Sequence, residues 1–283
     1  MIYLLMSVSA GFCMGMLIKL AQLWGEDTAS IVAANYITAA LPALLYLVFT
    51  GTTNVSTSTI WFGLGGGVLW PGTFFLLVFG ISKYGISIAS PLSRMAVVVP
   101  AIFGLLVLGE ALSWPLSLGL LFTLAAVFFM APGNLESFEP DRDFLWYLPL
   151  SFVAFGTVQL WTNLFNNFGG QGENFQYITG VFLWSIPFAW AYIWWFKLKV
   201  TKLTFLIGGA IGLANFVSLL GNVWGLQSLA FADNSAVYFM LHGGLHMLSI
   251  FLGGIFIWHE PVRRRNWIGI GASIMALVLL NLG

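Results

Sequence analysis

The sequence predicts an all-α integral membrane protein with ten transmembrane helices, built as two inverted five-helix repeats. Three observations lead to this fold class: a very apolar composition, ten apolar segments of membrane-spanning length, and a pattern of glycine and glutamate that recurs in the two halves. Of the 283 residues, 59% are hydrophobic and only 7% are charged, whereas a soluble domain has about 25% charged residues. Lipid must therefore solvate most of the surface.

A helix needs roughly 20 apolar residues to cross the hydrocarbon core of a bilayer. A β-barrel would instead need strands of alternating apolar and polar residues, and runs such as LGLLFTLAAVFFM do not alternate. The first apolar segment lacks the charged start of a signal peptide and is too long for one, so we expect it to span the membrane. The predicted helices, numbered 1 to 10, lie at about 2–23, 30–50, 60–82, 87–108, 114–131, 144–166, 175–196, 204–229, 235–257 and 267–282.

The most polar connection, PGNLESFEPDRD at 132–143, separates five predicted helices from five. We therefore expect one repeat at 1–131 and a second at 144–283. One set of positions recurs 145 residues later: Gly63, Gly67 and Gly80 as Gly208, Gly212 and Gly225. Another recurs 150 residues later: Gly104, Glu110 and Gly119 as Gly254, Glu260 and Gly269. Since each repeat has an odd number of helices, the copies would have opposite orientations in the membrane, as in many secondary transporters.

Glu110 and Glu260 are equivalent positions in this scheme, and each follows a long apolar segment. The first lies in LGEALS and the second in IWHEPVRRRNW, where His259 takes the place of glycine. This pattern resembles the drug/metabolite transporter superfamily, in its ten-helix EamA-like branch, whose repeat closes its fourth helix with a Gly-Glu pair. The resemblance implies transport of metabolites or drugs and does not specify a substrate.

Basic residues predict the orientation, because cytoplasmic loops are enriched in Lys and Arg. Those outside the predicted helices all fall in odd-numbered connections: Lys83, Arg142, Lys197, Lys199, Lys202, Arg263, Arg264 and Arg265. This count places both termini outside, in a bacterial-type inner (plasma) membrane. The resemblance favours cytoplasmic termini, and we follow the one-sided charge count.

Two stripes of polar residues are candidates for substrate binding. Predicted helix 8 has Asn215, Ser218 and Asn222 on one face, and predicted helix 6 has Gln159 and Asn163, followed by Asn166. Polar groups at membrane depth are costly unless they face the bundle interior or a wet cavity. The stripes could line a cavity, or they could bind neighbouring helices through hydrogen bonds.

His242, His246 and Arg94 are the other polar candidates. The two histidines lie four residues apart on one face of predicted helix 9, but no nearby Asp, Glu or Cys completes a metal site, so we predict no metal and no cofactor. They could bind substrate or carry protons, or bond to a facing helix. Arg94 could bind an anionic group of the substrate, or extend to the membrane interface.

Proline and glycine mark candidate hinges and close contacts. Pro71 and Pro91 remove helical hydrogen bonds and predict kinks, and Trp70, beside the first of them, is a further candidate for substrate binding. Gly67 and Gly212 predict close helix packing. Trp184, Trp190, Trp194 and Trp195 predict an aromatic belt at the membrane interface.

In the loop WGEDTAS we expect Thr28 or Ser30 to cap the next helix and Glu26 and Asp27 to be solvated.

These residues favour a secondary transporter of a small organic metabolite or drug, working by alternating access. Catalytic groupings such as Ser/His/Asp and phosphate-binding glycine loops do not occur in the sequence, so we do not expect an enzyme. The neutral net charge excludes a nucleic-acid partner. The alternatives are a non-transporting membrane subunit of a larger complex and, within transport, a sugar permease. A homodimer also stays open.

Overall fold

The computed structural model describes residues 1–52, 54–84, 96, 98–109, 113–130, 142–228, 231, 235–257, 259 and 264–280. Within these residues all regular structure is α-helical and there is no strand, which confirms the predicted all-α class. The helices are α1 Ile2–Leu23, α2 Thr28–Thr50, α3 Thr57–Tyr84, α4 Val98–Leu106, α5 Trp114–Met130, α6 Arg142–Phe168, α7 Asn174–Trp195, α8 Lys202–Leu226, α9 Ser235–Phe256 and α10 Arg264–Leu280.

Six stretches of helix in the described residues are long and apolar enough to cross a membrane. A 22-residue helix is roughly 33 Å long at 1.5 Å per residue, which exceeds a hydrocarbon core of about 30 Å. Each of the six overlaps a predicted span over most of its length, while the total of ten spans stays a prediction. The six are Ile2–Leu23, Thr28–Thr50, Thr57–Leu77, Leu145–Phe168, Asn174–Trp195 and Lys202–Leu226.

The ends of α2 and the start of α8 follow from local side-chain chemistry. The Asp27 carboxylate accepts a hydrogen bond from the Ser30 N–H at 2.7 Å, so Asp27 is the N-cap of α2. The expectations that Thr28 or Ser30 caps this helix and that Asp27 is solvated were wrong. Helix α2 ends at Gly51, whose φ of 67° favours glycine. Helix α8 begins with a capping box formed by Thr201 and Thr204.

The chain forms two compact units. The first contains Met1–Phe75 and Trp161–Gln227, and the second contains Leu76–Leu160 and Ser228–Gly283. In the first unit, α8 packs on α1 and α2, and α2 also packs on α7. In the second, α5 packs on α10 and α4 packs on α9. The units are defined by packing and the predicted repeats by sequence order, so the repeat boundaries stay predictions.

Small residues set the spacing of α8 and α2. A Cβ atom added to Gly208 would lie 2.8 Å from the Ile31 carbonyl oxygen, and one added to Gly212 would lie 2.9 Å from the Ala39 backbone nitrogen. These distances are too short for a side chain, so glycine is required where the two backbones meet. Small residues commonly allow such approaches between membrane helices.

Helix α3 approaches α7 in the same way. A Cβ atom on Gly63 would lie 3.1 Å from Gly180 Cα, and one on Gly67 would lie 2.9 Å from the Trp184 carbonyl carbon. By contrast, a Cβ atom on Gly72 would meet nothing within 4 Å. Gly67 of α3 therefore packs closely whereas Gly72 does not, and Gly67 and Gly212 both serve as contact points.

Candidate functional site

The polar stripe predicted on α8 lies against α1 and α2 in the first unit. Asn215 Nδ2 donates to Asn35 Oδ1 at 2.8 Å, and the Ser218 hydroxyl lies 3.3 Å from the Ser7 hydroxyl. Asn35 and Ser7 are buried, while Asn222 is half-buried one turn further along α8. Asn215 and Ser218 therefore form hydrogen bonds between helices. Their contact with a substrate stays a prediction.

Trp70 and Pro71 lie within an uninterrupted α3. Pro71 is buried, and Trp70 packs against the main hydrophobic core of the first unit. The Thr73 hydroxyl donates to the carbonyls of Leu69 and Trp70 at 2.9 and 3.0 Å, which satisfies carbonyl groups in the turn around the proline. Movement at Pro71 stays a prediction.

The amides predicted on α6 differ in their surroundings. Asn163 belongs to the first unit and is fully buried, and its Oδ1 accepts from Asn167 Nδ2 at 3.0 Å. Gln159 is half-buried and belongs to the second unit. The stripe is therefore continuous along the helix but contributes to two different units.

An amide cluster connects α6, α7 and the end of α8. Gln227 Oε1 accepts from Asn174 Nδ2 at 2.8 Å, and Gln227 Nε2 donates to Asn166 Oδ1 at 2.9 Å and to Asn174 Oδ1 at 3.0 Å. Amides both donate and accept hydrogen bonds, as hydroxyl-rich ligands require. Asn174 and Gln227 were not predicted, because each lies at a helix end where an amide is also an ordinary loop residue.

Glu173 holds the start of α3. Its carboxylate accepts from the Ser56 N–H at 2.9 Å and from the Ser56 hydroxyl at 2.8 Å. Partial desolvation raises the pKa of Glu173, but hydrogen bonds from Thr59 and Ser56 outweigh it, so the pKa lies below its usual value. A negative charge is favourable at this helix N-terminus. We call the contact of Glu173 with Ser56 and Thr59 the α3 clamp.

Glu26 forms a related contact at the start of α8. Its carboxylate accepts from the Thr201 hydroxyl at 2.9 Å and from the Thr204 hydroxyl at 2.6 Å. The expectation that Glu26 is solvated was therefore wrong. We call this contact the α8 clamp. Glu26 precedes α2, whereas Gln176, which follows Glu173, donates to the Thr52 carbonyl beyond α2, so the clamps lie at opposite ends of α2.

The clamps were missed although the sequence contains a signal for them. Hydroxyl residues occur at the N-cap and N3 positions of both helices, as Ser56 and Thr59 in STST and as Thr201 and Thr204 in TKLT. This spacing predicts a helix start. It does not reveal the glutamate, because Glu26 and Glu173 are distant in sequence from the hydroxyls that they contact.

His242 and His246 lie in the second unit. Their ring centroids are 5.8 Å apart, and the Tyr238 ring stacks on His242 at 6.0 Å. His246 is buried. The described residues contain no group of three His, Cys, Asp or Glu that could hold a metal ion. The imidazoles are therefore packed in an aromatic environment, and their roles in binding or proton transfer stay predictions.

The remaining predicted residues are Arg94, Pro91, Glu110 and Glu260, which lie outside the described residues. Of the other candidates, Trp70, Asn163, Asn215, Ser218 and Asn222 belong to the first unit, and Gln159, His242 and His246 belong to the second.

Comparison with known proteins gives a family match for the first part of the chain. Residues 1–132 match the EamA-like transporter family. This match confirms the resemblance that the sequence predicted. With six apolar helices long enough to span a bilayer, the chain has the properties of an integral multi-pass membrane protein. The EamA-like family comprises transporters rather than enzymes.

Two individual proteins are similar to the chain. The chain is 24% identical over 291 residues to an uncharacterized protein of Haemophilus influenzae, covering 98% of this chain and 96% of that protein. It is 36% identical over 71 residues to the probable 4-amino-4-deoxy-L-arabinose-phosphoundecaprenol flippase subunit ArnE of Klebsiella pneumoniae, covering 25% of this chain and 62% of that protein.

A solved crystal structure of another protein shares the fold. Its TM-score is 0.74 at 13% identity, with 98% of this chain and 96% of that chain covered. At this identity the likeness extends to the fold alone.

Proposed function

We propose that the protein is a secondary transporter that moves a small organic metabolite or drug by alternating access between two inverted five-helix repeats, at 1–131 and 144–283. The family match ends at residue 132, next to the end of the first proposed repeat. The family supports transport in general. The inverted repeat and the mechanism need separate support, which comes from the packing of the first unit.

Helix contacts in the first unit recur at a single sequence offset. Gly67 meets Trp184, and Gly212 meets Ala39. Adding 145 converts 67 to 212 and 39 to 184, so both partners of one contact map onto both partners of the other. Two further contacts follow the same rule to within one residue: Gly63 meets Gly180, and Gly208 meets Ala34. This exchange of partners supports a two-fold relation between α2–α3 and α7–α8, and it is the observation that carries the proposal.

Proline and the clamps follow the same offset. Pro42 lies inside α2 and Pro187 lies inside α7, 145 residues later. The hydroxyls of the two clamps are also 145 residues apart, Ser56 with Thr201 and Thr59 with Thr204. The clamp glutamates, Glu26 and Glu173, lie 147 residues apart. Both are loop residues, where an offset two residues longer is compatible with the repeat. Two related bundles in opposite orientations are the usual basis of alternating access around a central site.

We assign substrate contacts to polar and aromatic residues of the first unit: Asn215, Ser218 and Asn222 on α8, Asn163 on α6 and Trp70 on α3. Gln159, Arg94, His242 and His246 stay candidates for the same role. Amides and an indole ring suit a neutral organic molecule or a sugar.

Flux across liposomes containing the purified protein tests the proposal. The panel holds amino acids, sugars, nucleosides and organic amines, with and without a pH gradient. We expect saturable flux of one class, and Asn222→Ala and Asn215→Ala to raise its KM. Asn54→Ala, which removes an exposed loop amide, is the control. Unchanged KM in both α8 variants would place the substrate elsewhere, and no flux from folded protein would contradict transport.

The similarity to ArnE favours a second candidate, a membrane subunit that acts with a partner on a lipid-linked sugar. To test it, the chain would be co-expressed with membrane proteins encoded next to it in its source genome. Translocation of a lipid-linked aminosugar would then be assayed. Activity that requires the partner would support the subunit, whereas solute flux by the chain alone would support the transporter.

Orientation is a separate proposal. We place both termini outside a bacterial inner membrane, since the basic residues lie in odd-numbered connections. A terminal tag that is labelled by impermeant reagents in intact cells would support this orientation, and a protected tag would reverse it.

A further inference from the structure

The end of α7 carries a cleft that the proposed transport site does not use. The cleft has a volume of about 660 Å³ and is lined by Trp190, Ile193, Trp194, Trp195, Lys197 and Leu198. Trp194 and Trp195 are 79% and 75% exposed. Exposed tryptophans next to a spanning helix are typical of the interface between hydrocarbon and head groups, so this cleft opens where lipid head groups lie.

Three lysines follow directly in the chain. Lys197, Lys199 and Lys202 are all exposed, and among the described residues none of them forms an ion pair. The carboxylate at this end of α8, Glu26, is engaged by the hydroxyls of Thr201 and Thr204. Neutral hydroxyls do not cancel the charge of a carboxylate, so the net positive charge beside the cleft comes from three lysines set against one glutamate.

The cleft lies at the C-terminus of α7, where the helix dipole favours the positive charge of the lysines. The carbonyls of the last α7 turn already accept hydrogen bonds, Tyr192 from the Phe196 N–H at 3.0 Å and Ile193 from the Leu198 N–H at 3.0 Å. These bonds occupy the carbonyls but do not remove their partial negative charge, so the binding of an anion here depends on the lysines. Lys197 has a φ of 51°, an uncommon left-handed conformation for lysine, which turns the chain sharply between α7 and the other two lysines.

We propose that this cleft binds an anionic phospholipid from the adjacent leaflet. Lys197, with Lys199 and Lys202, contacts the head-group phosphate, and the aromatic and aliphatic wall of Trp190, Ile193 and Leu198 receives the glycerol and the upper acyl chains. Tryptophan and lysine together match the two parts of such a lipid, one apolar and one negatively charged. The site holds for either candidate function, since it does not involve the substrate residues.

Spin-label spectroscopy of reconstituted protein tests the site. The protein is placed in phosphatidylcholine bilayers with a trace of spin-labelled phosphatidylglycerol or phosphatidylcholine, and the ratio of the two association constants is measured. We expect the wild type to prefer phosphatidylglycerol. The variant Lys197→Asn/Lys199→Gln/Lys202→Gln should lose this preference, at about fivefold per lysine near a membrane surface. Asparagine is used at 197 because it tolerates positive φ.

Lys83→Gln is the matched control, because it removes a lysine that is already ion-paired with Asp143, and we expect it to keep the preference. Equal losses in Lys83→Gln and the triple variant would overturn the site, as would a triple variant that keeps the wild-type ratio while folded. Glycerol 3-phosphate added to the solution distinguishes the sources of phosphate. If the wild type shows no preference for phosphatidylglycerol but binds glycerol 3-phosphate, the cleft binds a soluble anion and the lipid assignment is wrong.

Discussion

The α2–α8 pair and the α7–α3 pair have the same close-packed framework and different polar chemistry. In the first pair, Gly212 approaches α2 beside the hydrogen bond between Asn215 and Asn35. In the second pair, Gly67 approaches α7 in the same way, but the positions 145 residues from Asn215 and Asn35 are Trp70 and Gly180. The α2–α8 interface is thus joined by two amides. At the equivalent positions of the α7–α3 interface there is the indole ring of Trp70 and a glycine, Gly180, which has no side chain.

This difference separates what builds the fold from what gives it a function. Backbone approach depends on where glycine lies, so glycine positions must recur if both helix pairs are to pack alike. The polar residues are under no such constraint, because a hydrogen bond between membrane helices contributes only about 0.6 kcal/mol on average. The residues that break the symmetry, Asn215 and Trp70 above all, are therefore the best candidates for substrate recognition.

The largest expected effect comes from filling the shared framework. Gly212→Ala and Gly67→Ala each push a methyl group into the backbone or Cβ of the facing helix, and overpacking of this kind costs about 1–3 kcal/mol. We expect similar losses in the two variants, because the two contacts are equivalent in the proposed repeat. Stability in detergent micelles, measured by steric trapping, would show the size of each loss.

Neighbouring glycines provide the controls for this comparison. A Cβ atom on Gly209 would be 3.7 Å from Thr38, and one on Gly72 would meet nothing within 4 Å. Alanine is a better helix former than glycine by about 1 kcal/mol, so Gly209→Ala and Gly72→Ala should be neutral or stabilising. Loss of stability in only one of Gly67→Ala and Gly212→Ala would argue against equivalent packing.

The sequence predicted the framework well and the polar contacts less well. Apolar segments of about 20 residues directly reflect the thickness of the bilayer, and the six described spans follow them. Gly67 and Gly212 were predicted as helix contacts, because the recurrence of glycine in the two halves was enough to identify them. Asn35 and Ser7, the partners of Asn215 and Ser218, were not predicted. A single polar residue in an apolar segment does not indicate which other helix it contacts.

Loop carboxylates show the same limit. Glu26 was expected to be solvated and instead binds hydroxyls that follow it by 175 residues or more. The spacing of hydroxyl residues contains a local signal for a helix cap, but the glutamate reaches the hydroxyls through tertiary structure. Pairing across such sequence distances depends on helix packing, which propensity and spacing do not contain.

The two clamps should differ in strength. Glu173 accepts the backbone N–H of Ser56, the residue before α3, in addition to its hydroxyl, whereas Glu26 contacts side chains only, because the Thr201 N–H already donates to the Thr204 hydroxyl. We expect Glu173→Gln to lower the free energy of unfolding by about 0.5–2 kcal/mol, as for loss of a helix cap, and Glu26→Gln to lower it less. An equal or larger loss in Glu26→Gln would contradict this order.

The stabilisation by Glu173 should depend on pH. Its pKa in the folded protein lies below the usual value, so the folded state binds fewer protons than the unfolded state near pH 4. The contribution of this carboxylate is therefore complete above the unfolded pKa of a glutamate, about 4.3, and is lost as the pH falls through the folded pKa. The stability difference between wild type and Glu173→Gln should shrink between pH 5 and pH 3, measured by thermal unfolding, and a constant difference would contradict it.

The smallest expected effect is the coupling between Asn215 and Asn35. A double-mutant cycle of Asn215→Ala, Asn35→Ala and the double variant should give a coupling free energy of about 0.6 kcal/mol, typical of membrane hydrogen bonds. If substrate binds the amides, saturating substrate should change the Asn215–Asn35 coupling, because Asn215 would then exchange Asn35 for the ligand. Coupling that is identical with and without substrate would leave Asn215 a structural residue.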